Sequence, residues 1–270
     1  MIRYELPKIS CLMVSTGRVD HVPRSTMCYL NQTYPHKELI VLSQGSAEDN
    51  VAIREQLGDR DDIKFFVAPS RLTLGAMRNL SCELASGDVL CQWDDDDLYH
   101  PTRIMDQYKA LCADSRNVAS ASSKFLKYFS HTNDLYWCDW WGEGVPSSRF
   151  LCGSVMFRKS IFHKHNSMLY PESGNQCHVE EDLNVLNKLL EAGKVVSYGN
   201  GHHYLYAYHG ENTYALSHHL LAIETESGKE VAGVNELLTN RILLEDTLRS
   251  MGVGFVSVRS LDEVAFTYNP

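Results

Sequence analysis

Residues 88–101 read DVLCQWDDDDLYHP, and this stretch gives the strongest indication of the fold. An apolar segment short enough for a buried strand leads into four consecutive aspartates, Asp94 to Asp97. Like charges in contact raise each other's pKa, so a bound divalent cation would relieve the repulsion and could in turn hold a pyrophosphate. Oxygen ligands of this kind suit magnesium or manganese. The alternative is a solvated acidic turn that caps the next helix.

The residues on either side predict a helix, a strand, an acidic loop and a second helix, in that order. Residues 74–80 (LGAMRNL) have a helical pattern, and Gly87 is typical of a C-cap before the strand. Pro101 is typical of the first turn of the following helix. The carboxylates would then lie at the carboxyl end of a strand, where open α/β sheets bind their ligands.

The first half of the chain alternates short apolar strands with helical patterns. Strands are predicted at 9–14, 38–42, 63–67 and 89–93, and helices at 23–30, 50–57 and 72–84. This alternation indicates a mainly parallel sheet with helices on both faces, so the first half is expected to be Rossmann-like. From about Ala119 the strands become longer and aromatic residues more frequent.

Several motifs in a fixed order resemble those of inverting glycosyltransferases of family 2, over roughly residues 8–215. They are ISCLMVST at 9–16, NQTYP at 31–35, ELIVL at 38–42, Gly45-Ser46, GAMRN at 75–79, the acidic run and Glu181-Asp182. The resemblance implies a GT-A fold: an α/β, Rossmann-like, mainly parallel sheet flanked by helices, with a smaller acceptor-side sheet and a C-terminal helical appendage. The expected division is a donor-binding half at 1–110, an acceptor and catalytic-base half at 111–218, and the appendage at 219–270.

The resemblance also implies the reaction, a metal-dependent transfer of a sugar from a nucleotide diphosphate sugar, expected to be a UDP-sugar, to an acceptor hydroxyl. Asp96 would hold Mn²⁺ or Mg²⁺, and His209 could reach the cation or the pyrophosphate when a loop closes. Asp94 is the other acid of the Asp-x-Asp signature, and Asp95 would lie near the ribose hydroxyls. Asp97 is expected to cap the next helix.

The acidic stretch at 180–182 opens a helical run and, by the same resemblance, faces the acceptor. Asp182 is the implied general base, with Glu181 as the runner-up, and attack opposite the leaving nucleotide gives inversion. A positioned base contributes about 10²- to 10⁴-fold to the rate. The structural alternative is that the helix dipole stabilises carboxylates at this helix N-terminus.

The expected donor-binding set consists of Thr16, Gly17, Arg18, Gln44, Arg78, Asn79, Asp94, Asp95 and Gly153, where Gly17-Arg18 and Gln44 depart from the residues that family members commonly have. Arg78 suits this role because a guanidinium matches phosphate geometry, although an isolated helical Arg is more often a solvated surface residue. Gln44 stands where family members commonly have a carboxylate that contacts uracil, and its amide offers both a donor and an acceptor.

The aromatic density in the second half suggests where an acceptor would bind. Trp137, Asp139, Trp140 and Trp141 precede glycines in an evident loop. Amphipathic rings suit a sugar or peptide acceptor, and filling of the sheet explains them equally well. The acceptor could be a glycan, a lipid-linked sugar, a protein or a small molecule.

Composition disfavours some classes of partner. The formal net charge of −9 disfavours attachment to nucleic acid or to anionic membrane surfaces. The eight cysteines show no C-x-x-C spacing, and no apolar run approaches 18 residues, so we expect reduced thiols, no membrane span and a cytoplasmic location. The spacing of the late histidines, His202, His203, His209, His218 and His219, disfavours a structural zinc site.

The tail is predicted to contain one amphipathic helix at 235–251 and a strand at 253–258. It could pack back on the core, form a homodimer or hold a partner. Two other functions compete with transfer. A sugar nucleotidyltransferase would need a basic, Gly-rich triphosphate loop, for which residues 15–18 (STGR) are too short and too poor in glycine. A nucleotide-sugar or glycan-binding module without turnover would have no need of a base.

Overall fold

The computed structural model describes residues 6–140, 149–174, 176, 181–199, 201–224 and 229–270. Its strands are β1 Ile9–Ser15, β2 Lys37–Ser43, β3 Ile63–Val67, β4 Val89–Gln92, β5 Leu98–Tyr99, β6 Asn117–Ser122, β7 Lys124–Phe129, β8 Asp134–Asp139, β9 Leu151–Arg158, β10 Lys194–Ser197, β11 Tyr204–Tyr208, β12 Glu230–Val231, β13 Val256–Arg259 and β14 Val264–Tyr268. Its helices are α1 Val22–Leu30, α2 Ala47–Leu57, α3 Leu74–Leu84, α4 Arg103–Cys112, α5 Lys159–Lys164, α6 Glu181–Ala192, α7 Leu216–Leu220, α8 Val234–Thr239 and α9 Arg241–Ser250. Among these helices none is long and apolar enough to cross a membrane.

The first sheet confirms the predicted α/β class. Its order is β10-β6-β9-β4-β1-β2-β3, and strands β1 to β4 run parallel to their neighbours in this group. Every residue of β1 and β4 is buried, as expected for strands covered on both faces by helices. Helix α2 begins with a capping box, in which Ser46 and Asp49 each accept a hydrogen bond from the other's backbone.

A second sheet has the order β14-β13-β8-β7-β11-β5, with β12 paired to β8. Its strand β5 pairs with β11, so that Tyr99 lies opposite Tyr204. Since β4 belongs to the first sheet and β5 to the second, the acidic run between them lies where the two sheets meet. One apolar core continues from the first sheet into the second and includes Cys91, Trp93 and Leu205.

The tail differs from the prediction of one long helix. It forms α8 and α9, separated by Asn240, whose side chain donates to the carbonyl of Glu236 and competes with the helical pattern. The following strand begins at Val256 and pairs in parallel with β8, so the tail extends the second sheet. The division of the chain at 110 and 218 stays a prediction.

Gly87 is not the C-cap of α3. That helix ends at Leu84, and the next residue, Ala85, is extended. A Cβ on Gly87 would lie 2.6 Å from the carbonyl oxygen of Lys8 and 2.7 Å from Oγ of Ser10. Glycine is therefore needed here for close packing against the chain at the start of β1.

Candidate active site

A cavity of about 520 Å³ lies at the carboxyl ends of β1 and β4. One wall carries the acidic run, and another carries Glu181 and Asp182 from the first turn of α6. Gly153 from β9 and Tyr206 from β11 complete the surroundings. The cavity thus brings together the two acidic motifs predicted from the sequence.

Asp96 has three donor groups around one carboxylate oxygen. Its Oδ2 lies 2.6 Å from Nη1 of Arg18, 3.2 Å from Nε2 of His209 and 3.3 Å from Nδ2 of Asn212. Burial alone would raise the pKa of Asp96, but the His209 hydrogen bond and the Arg18 charge outweigh it and lower that pKa. Asp96 therefore keeps its charge, and it joins the loop after β1 to the loop after β11.

Asp95 is 5% exposed and has one cationic partner, Nη1 of Arg18, at 3.1 Å from its Oδ1. Its Oδ2 is buried and has no hydrogen-bond partner within the described residues. Burial and the adjacent Asp96 charge raise the pKa of Asp95 to about 7, against the opposing effect of Arg18. An unpaired buried carboxylate oxygen is costly unless a cation or a donor group reaches it.

Asp97 does not cap the next helix, so that prediction was wrong. Helix α4 begins at Arg103, with Thr102 at the N-cap position. Asp97 is 2% exposed and accepts hydrogen bonds from Oη of Tyr204 at 2.6 Å and from the amide of Ala207 at 2.9 Å. It holds β11 against the acidic run, and no sequence signal pointed to these partners.

Arg78 connects the two acidic motifs. Its Nε donates to Oε1 of Glu181 at 2.9 Å, while Nη1 and Nη2 both lie 3.2 Å from Oδ1 of Asp94. Burial lowers the pKa of Arg78, but the charges of Asp94 and Glu181 more than compensate and raise it well above its ordinary value. The Arg78 guanidinium is therefore a fixed cation between the two clusters.

Asp182 has a different environment from Glu181. It lines the cavity, and its Oδ1 accepts a hydrogen bond from the amide of Leu183 at 2.8 Å. Burial, followed by the neighbouring Glu181 charge, raises the pKa of Asp182 to about 7, although Arg78 opposes the shift. A carboxylate with this pKa can accept a proton near neutral pH.

Gly153 makes room for the acidic run. A Cβ at this position would lie 2.6 Å from Oδ2 of Asp94 and 3.0 Å from Oη of Tyr204. Any larger residue would have to displace the Asp94 carboxylate. The structure thus places Gly153 against the Asp94 carboxylate and the Tyr204 hydroxyl.

A smaller cavity of about 440 Å³ continues from the first and shares Thr16, Gln44 and Arg71 with it. The Gln44 amide donates to the carbonyl of Leu72 at 3.3 Å and accepts from the amide of the same residue at 2.5 Å. This pairing fixes the orientation of Gln44 at the cavity wall. Arg71 was not singled out from the sequence, because the loop that carries it has no motif.

Two residues of the predicted donor set lie elsewhere. Gly17 has φ +91°, and a Cβ there would lie 2.6 Å from Cα of Gly45, so it allows two loops to pack closely. The Asn79 side chain donates to the carbonyl of Tyr170 and to Oε1 of Glu172, and it accepts from the amide of Tyr170. Its hydrogen bonds hold the chain after β9 in place, and neither residue lines either cavity of the described structure.

Of the predicted acceptor residues, Trp140 lines the cavity. Trp137 is 8% exposed and belongs to the apolar core, where its indole packs against Gly201. Asp139 forms an ion pair with Lys124 at 2.7 Å. Trp141 lies outside the described residues. Packing in the apolar core therefore explains the position of Trp137, and contact with an acceptor is not needed to explain it.

Sequence reasoning missed a buried pair beside the cavity. Nζ of Lys127 lies 2.8 Å from Nδ1 of His219 and 3.7 Å from the ring centroid of Tyr206. Burial lowers the pKa of Lys127 to about 7. His219 lines the cavity, and its Nε2 is buried without a partner in the described residues. A lone Lys in an apolar strand gives no functional signal in the sequence.

The residues around Asp96 fit a divalent cation. Oδ2 of Asp96 and Nε2 of His209 are 3.2 Å apart, which is close enough for both to bind one ion in place of Nη1 of Arg18, which lies 2.6 Å from the same oxygen. The Asp95 carboxylate, from the preceding residue, has a buried Oδ2 without a partner in the described residues. Carboxylate oxygens with one imidazole suit Mn²⁺, and carboxylates with the donor's phosphates suit Mg²⁺.

Glycosyl transferase family 2 matches residues 10–168, more than half of the chain. The chain belongs to glycosyl transferase family 2. This membership confirms the resemblance predicted from the motifs.

Individual relatives are more distant. The glucosyl-dolichyl phosphate glucuronosyltransferase of Haloferax volcanii is 26% identical over 161 residues, which cover 55% of this chain and 51% of that protein. The cholesterol galactosyltransferase of Borreliella burgdorferi is 25% identical over 131 residues, 48% of this chain and 35% of that protein. The chain thus spans about a third to a half of the length of these curated relatives.

Solved structures share the fold. The mannosyltransferase PcManGT of Pyrobaculum calidifontis, in complex with GDP-Man and Mn²⁺, aligns with a TM-score of 0.56 at 13% identity, over 76% of this chain and 57% of that one. S. aureus TarS 1–349 in complex with UDP-GlcNAc gives a TM-score of 0.54 at 13% identity, over 89% of this chain and 66% of that one. These likenesses confirm the GT-A fold.

Proposed function

We propose that the chain transfers a sugar from a nucleotide diphosphate sugar to an acceptor hydroxyl, with inversion at the anomeric carbon. The observation that carries this proposal is the shared cavity, where Asp96 keeps its charge beside His209 while Asp182 has its pKa raised to about 7. One cluster can hold a cation and the other can take a proton. These are the two tasks that sugar transfer from a diphosphate requires.

The donor occupies the side of the cavity that lies next to the first sheet. The nucleoside lies in the smaller cavity, between Thr16, Gln44 and Arg71. Gln44 is held in one orientation by Leu72, and each of its amide atoms has capacity for one further hydrogen bond to a base edge. UDP is the expected nucleotide. TarS with UDP-GlcNAc and PcManGT with GDP-Man support nucleotide-sugar binding in this fold.

The diphosphate lies beside the acidic run. Asp96 and His209 would hold Mn²⁺ or Mg²⁺, and the cation would neutralise charge on the leaving diphosphate. Arg18 contacts both Asp95 and Asp96 and carries a guanidinium suited to phosphate oxygens. Asn212 and His209 hold the loop after β11 on Asp96, which brings that loop over this part of the cavity.

Asp182 acts as the general base. The acceptor oxygen forms a bond to the anomeric carbon as the bond from that carbon to the diphosphate oxygen breaks. The acceptor proton passes to the Asp182 carboxylate, and the nucleoside diphosphate leaves. Glu181 is less suited to this step because Nε of Arg78 holds its Oε1 at 2.9 Å and it is only 3% exposed.

The acceptor enters from the side of the cavity that lies next to the second sheet. Trp140, Tyr206, Tyr214 and His219 line this part of the cavity. Rings with polar edges suit a sugar, whose apolar face stacks while its hydroxyl groups find hydrogen-bond partners. The acceptor-binding half therefore corresponds to the strands after α4, and the acceptor is a molecule with a sugar-like surface.

Turnover with a panel of donors tests the proposal. The protein is incubated with UDP-glucose, UDP-galactose, UDP-GlcNAc and GDP-mannose, with and without Mn²⁺, and the released nucleoside diphosphate is quantified. We expect release from one donor, dependent on Mn²⁺ and accelerated by a glycoside acceptor. Binding of a donor without release, in the presence of the acceptor panel, would favour the binding module without turnover.

A further inference from the structure

A histidine cluster lies outside the cavity, at the junction of the two sheets. His100 follows β5, His202 and His203 precede β11, and Asp106 lies in the first turn of α4. The amide of His100 donates to the carbonyl of His203 at 3.1 Å, so the two turns are already joined by the backbone. None of these four residues lines the two cavities of the described structure.

The three imidazole rings lie close together. A ring nitrogen of each histidine lies within 4.8 Å of a ring nitrogen of the other two. Nε2 of His203 is 3.1 Å from Oδ2 of Asp106, a separation that suits two ligand atoms of one ion. The ring centroids of His202 and His203 are 4.0 Å apart, and those of His100 and His202 are 5.1 Å apart.

Neighbouring groups fix the rings. Nδ1 of His100 lies 3.0 Å from the Thr102 hydroxyl and accepts from the Thr102 amide at 3.3 Å. Nδ1 of His202 is buried without a partner in the described residues, so this nitrogen is available to an ion. Gly199 has φ +65°, and a Cβ there would lie 2.3 Å from Nδ1 of His203, so the backbone leaves room for this ring.

We propose that His100, His202 and His203 bind Zn²⁺, with Asp106, which contacts His203, or a water molecule at the fourth position. Three imidazoles and one oxygen form a tetrahedral ligand set that zinc accepts. The ion would tie β5 and β11 to α4. Because β11 carries Tyr204, whose hydroxyl donates to Asp97, the site would also fix the end of the acidic run. The late histidines alone disfavoured zinc by their spacing, and the fold adds His100 and Asp106.

Metal binding by untagged protein tests the proposal without any substrate. The protein is stripped with a chelator and titrated with Zn²⁺, and bound metal is measured by mass spectrometry. Co²⁺ is then substituted, and its visible absorption is recorded. We expect about one Zn²⁺ per chain, an intense absorption of tetrahedral Co²⁺, and both unchanged in Asp96→Asn, which separates this site from the proposed catalytic cation.

Ligand variants complete the test. In His100→Asn and His202→Asn we expect the zinc affinity to fall by more than about 10- to 100-fold, since even the loss of outer-sphere partners costs that much. His163→Asn, on the exposed side of α5, is the matched control and should bind zinc normally. Unchanged zinc binding in folded His202→Asn overturns the proposal. If the variants do not fold, wild-type protein decides: failure to bind Zn²⁺, or a weak six-coordinate Co²⁺ spectrum, overturns it as well.

Discussion

Asp96 in the acidic run after β4 and Asp182 at the start of α6 are both aspartates at the cavity, yet their environments differ. Asp96 has Arg18, His209 and Asn212 around one oxygen, and its pKa is lowered. Asp182 has an amide from its own helix and a like-charged neighbour, and its pKa is raised to about 7. Cationic and donor partners keep a carboxylate charged, whereas burial beside another carboxylate makes it a proton acceptor.

Removing the base should have the largest effect. Asp182→Asn keeps the size of the side chain but cannot accept the acceptor proton, so we expect turnover to fall by about 10²- to 10⁴-fold. Donor affinity should stay the same, which calorimetry measures beside the rate. Glu181→Gln is the matched control and should lose less than about tenfold. The opposite ranking of the two variants would assign the base to Glu181.

The second largest effect is expected from removing the Arg78 guanidinium, which lies between the two acidic clusters. Arg78→Met leaves the half-buried Asp94 and the buried Glu181 without their partner, so the free energy of unfolding should fall by about 3–5 kcal/mol. Urea denaturation of the variant measures this loss. Arg54→Met, at an exposed position of α2, should change stability by no more than about 0.5 kcal/mol. Equal stability of the two variants would show that the Arg78 bridge is unimportant.

A smaller effect is expected where Gly153 faces Asp94. In Gly153→Ala the new Cβ must displace the Asp94 carboxylate, because the available distance is 2.6 Å. Overpacking of this kind costs about 1–3 kcal/mol, and Mn²⁺-dependent nucleotide affinity should weaken. Gly233→Ala is the control, since a Cβ there meets no atom within 4 Å. The interpretation fails if both variants bind nucleotide and metal as the wild type does.

The pH dependence of turnover also tests the difference between Asp96 and Asp182. Since the base acts only when deprotonated, turnover should rise about tenfold per pH unit and level off above about pH 7, where Asp182 has lost its proton. Glu181→Gln removes a charge that raises this pKa, so the midpoint should move to lower pH. The free energy of unfolding should change in the opposite direction. Between pH 3.8, the ordinary pKa of Asp182, and about pH 7, the folded state binds a proton that the unfolded state has lost. The stability that this proton contributes therefore declines as the pH rises through that window. A turnover rate that is flat across neutral pH would contradict the assignment.

The sequence predicted those features that depend on neighbours in the chain. The alternation of strands and helices predicted the first sheet, and the apolar segment before Asp94 predicted the strand end that carries the acidic run. The order of motifs predicted the family. These patterns are local, since strand and helix periodicity and the position of carboxylates after a strand do not require knowledge of tertiary partners.

Features that depend on distant partners could not be predicted. Asp97 was predicted to cap a helix because it precedes one in the sequence. Its partners in the fold, Tyr204 and Ala207, come from β11 and leave no trace in the local sequence. Asn79 lies in a family motif, but its amide holds Tyr170. Lys127 has no signal until β7 brings it to His219. In each case the tertiary contact, rather than the local pattern, decides what the side chain does.

Calorimetry on two variants tests the division between the clusters most directly. Binding of UDP, GDP, CDP and dTDP is measured with and without Mn²⁺ for the wild type, Asp96→Asn and Asp182→Asn. We expect one nucleotide to bind in a Mn²⁺-dependent manner, to lose that dependence in Asp96→Asn and to retain it in Asp182→Asn. Mn²⁺-independent binding in the wild type, or equal loss in both variants, would contradict the separation of a cation-holding cluster from a proton-accepting one.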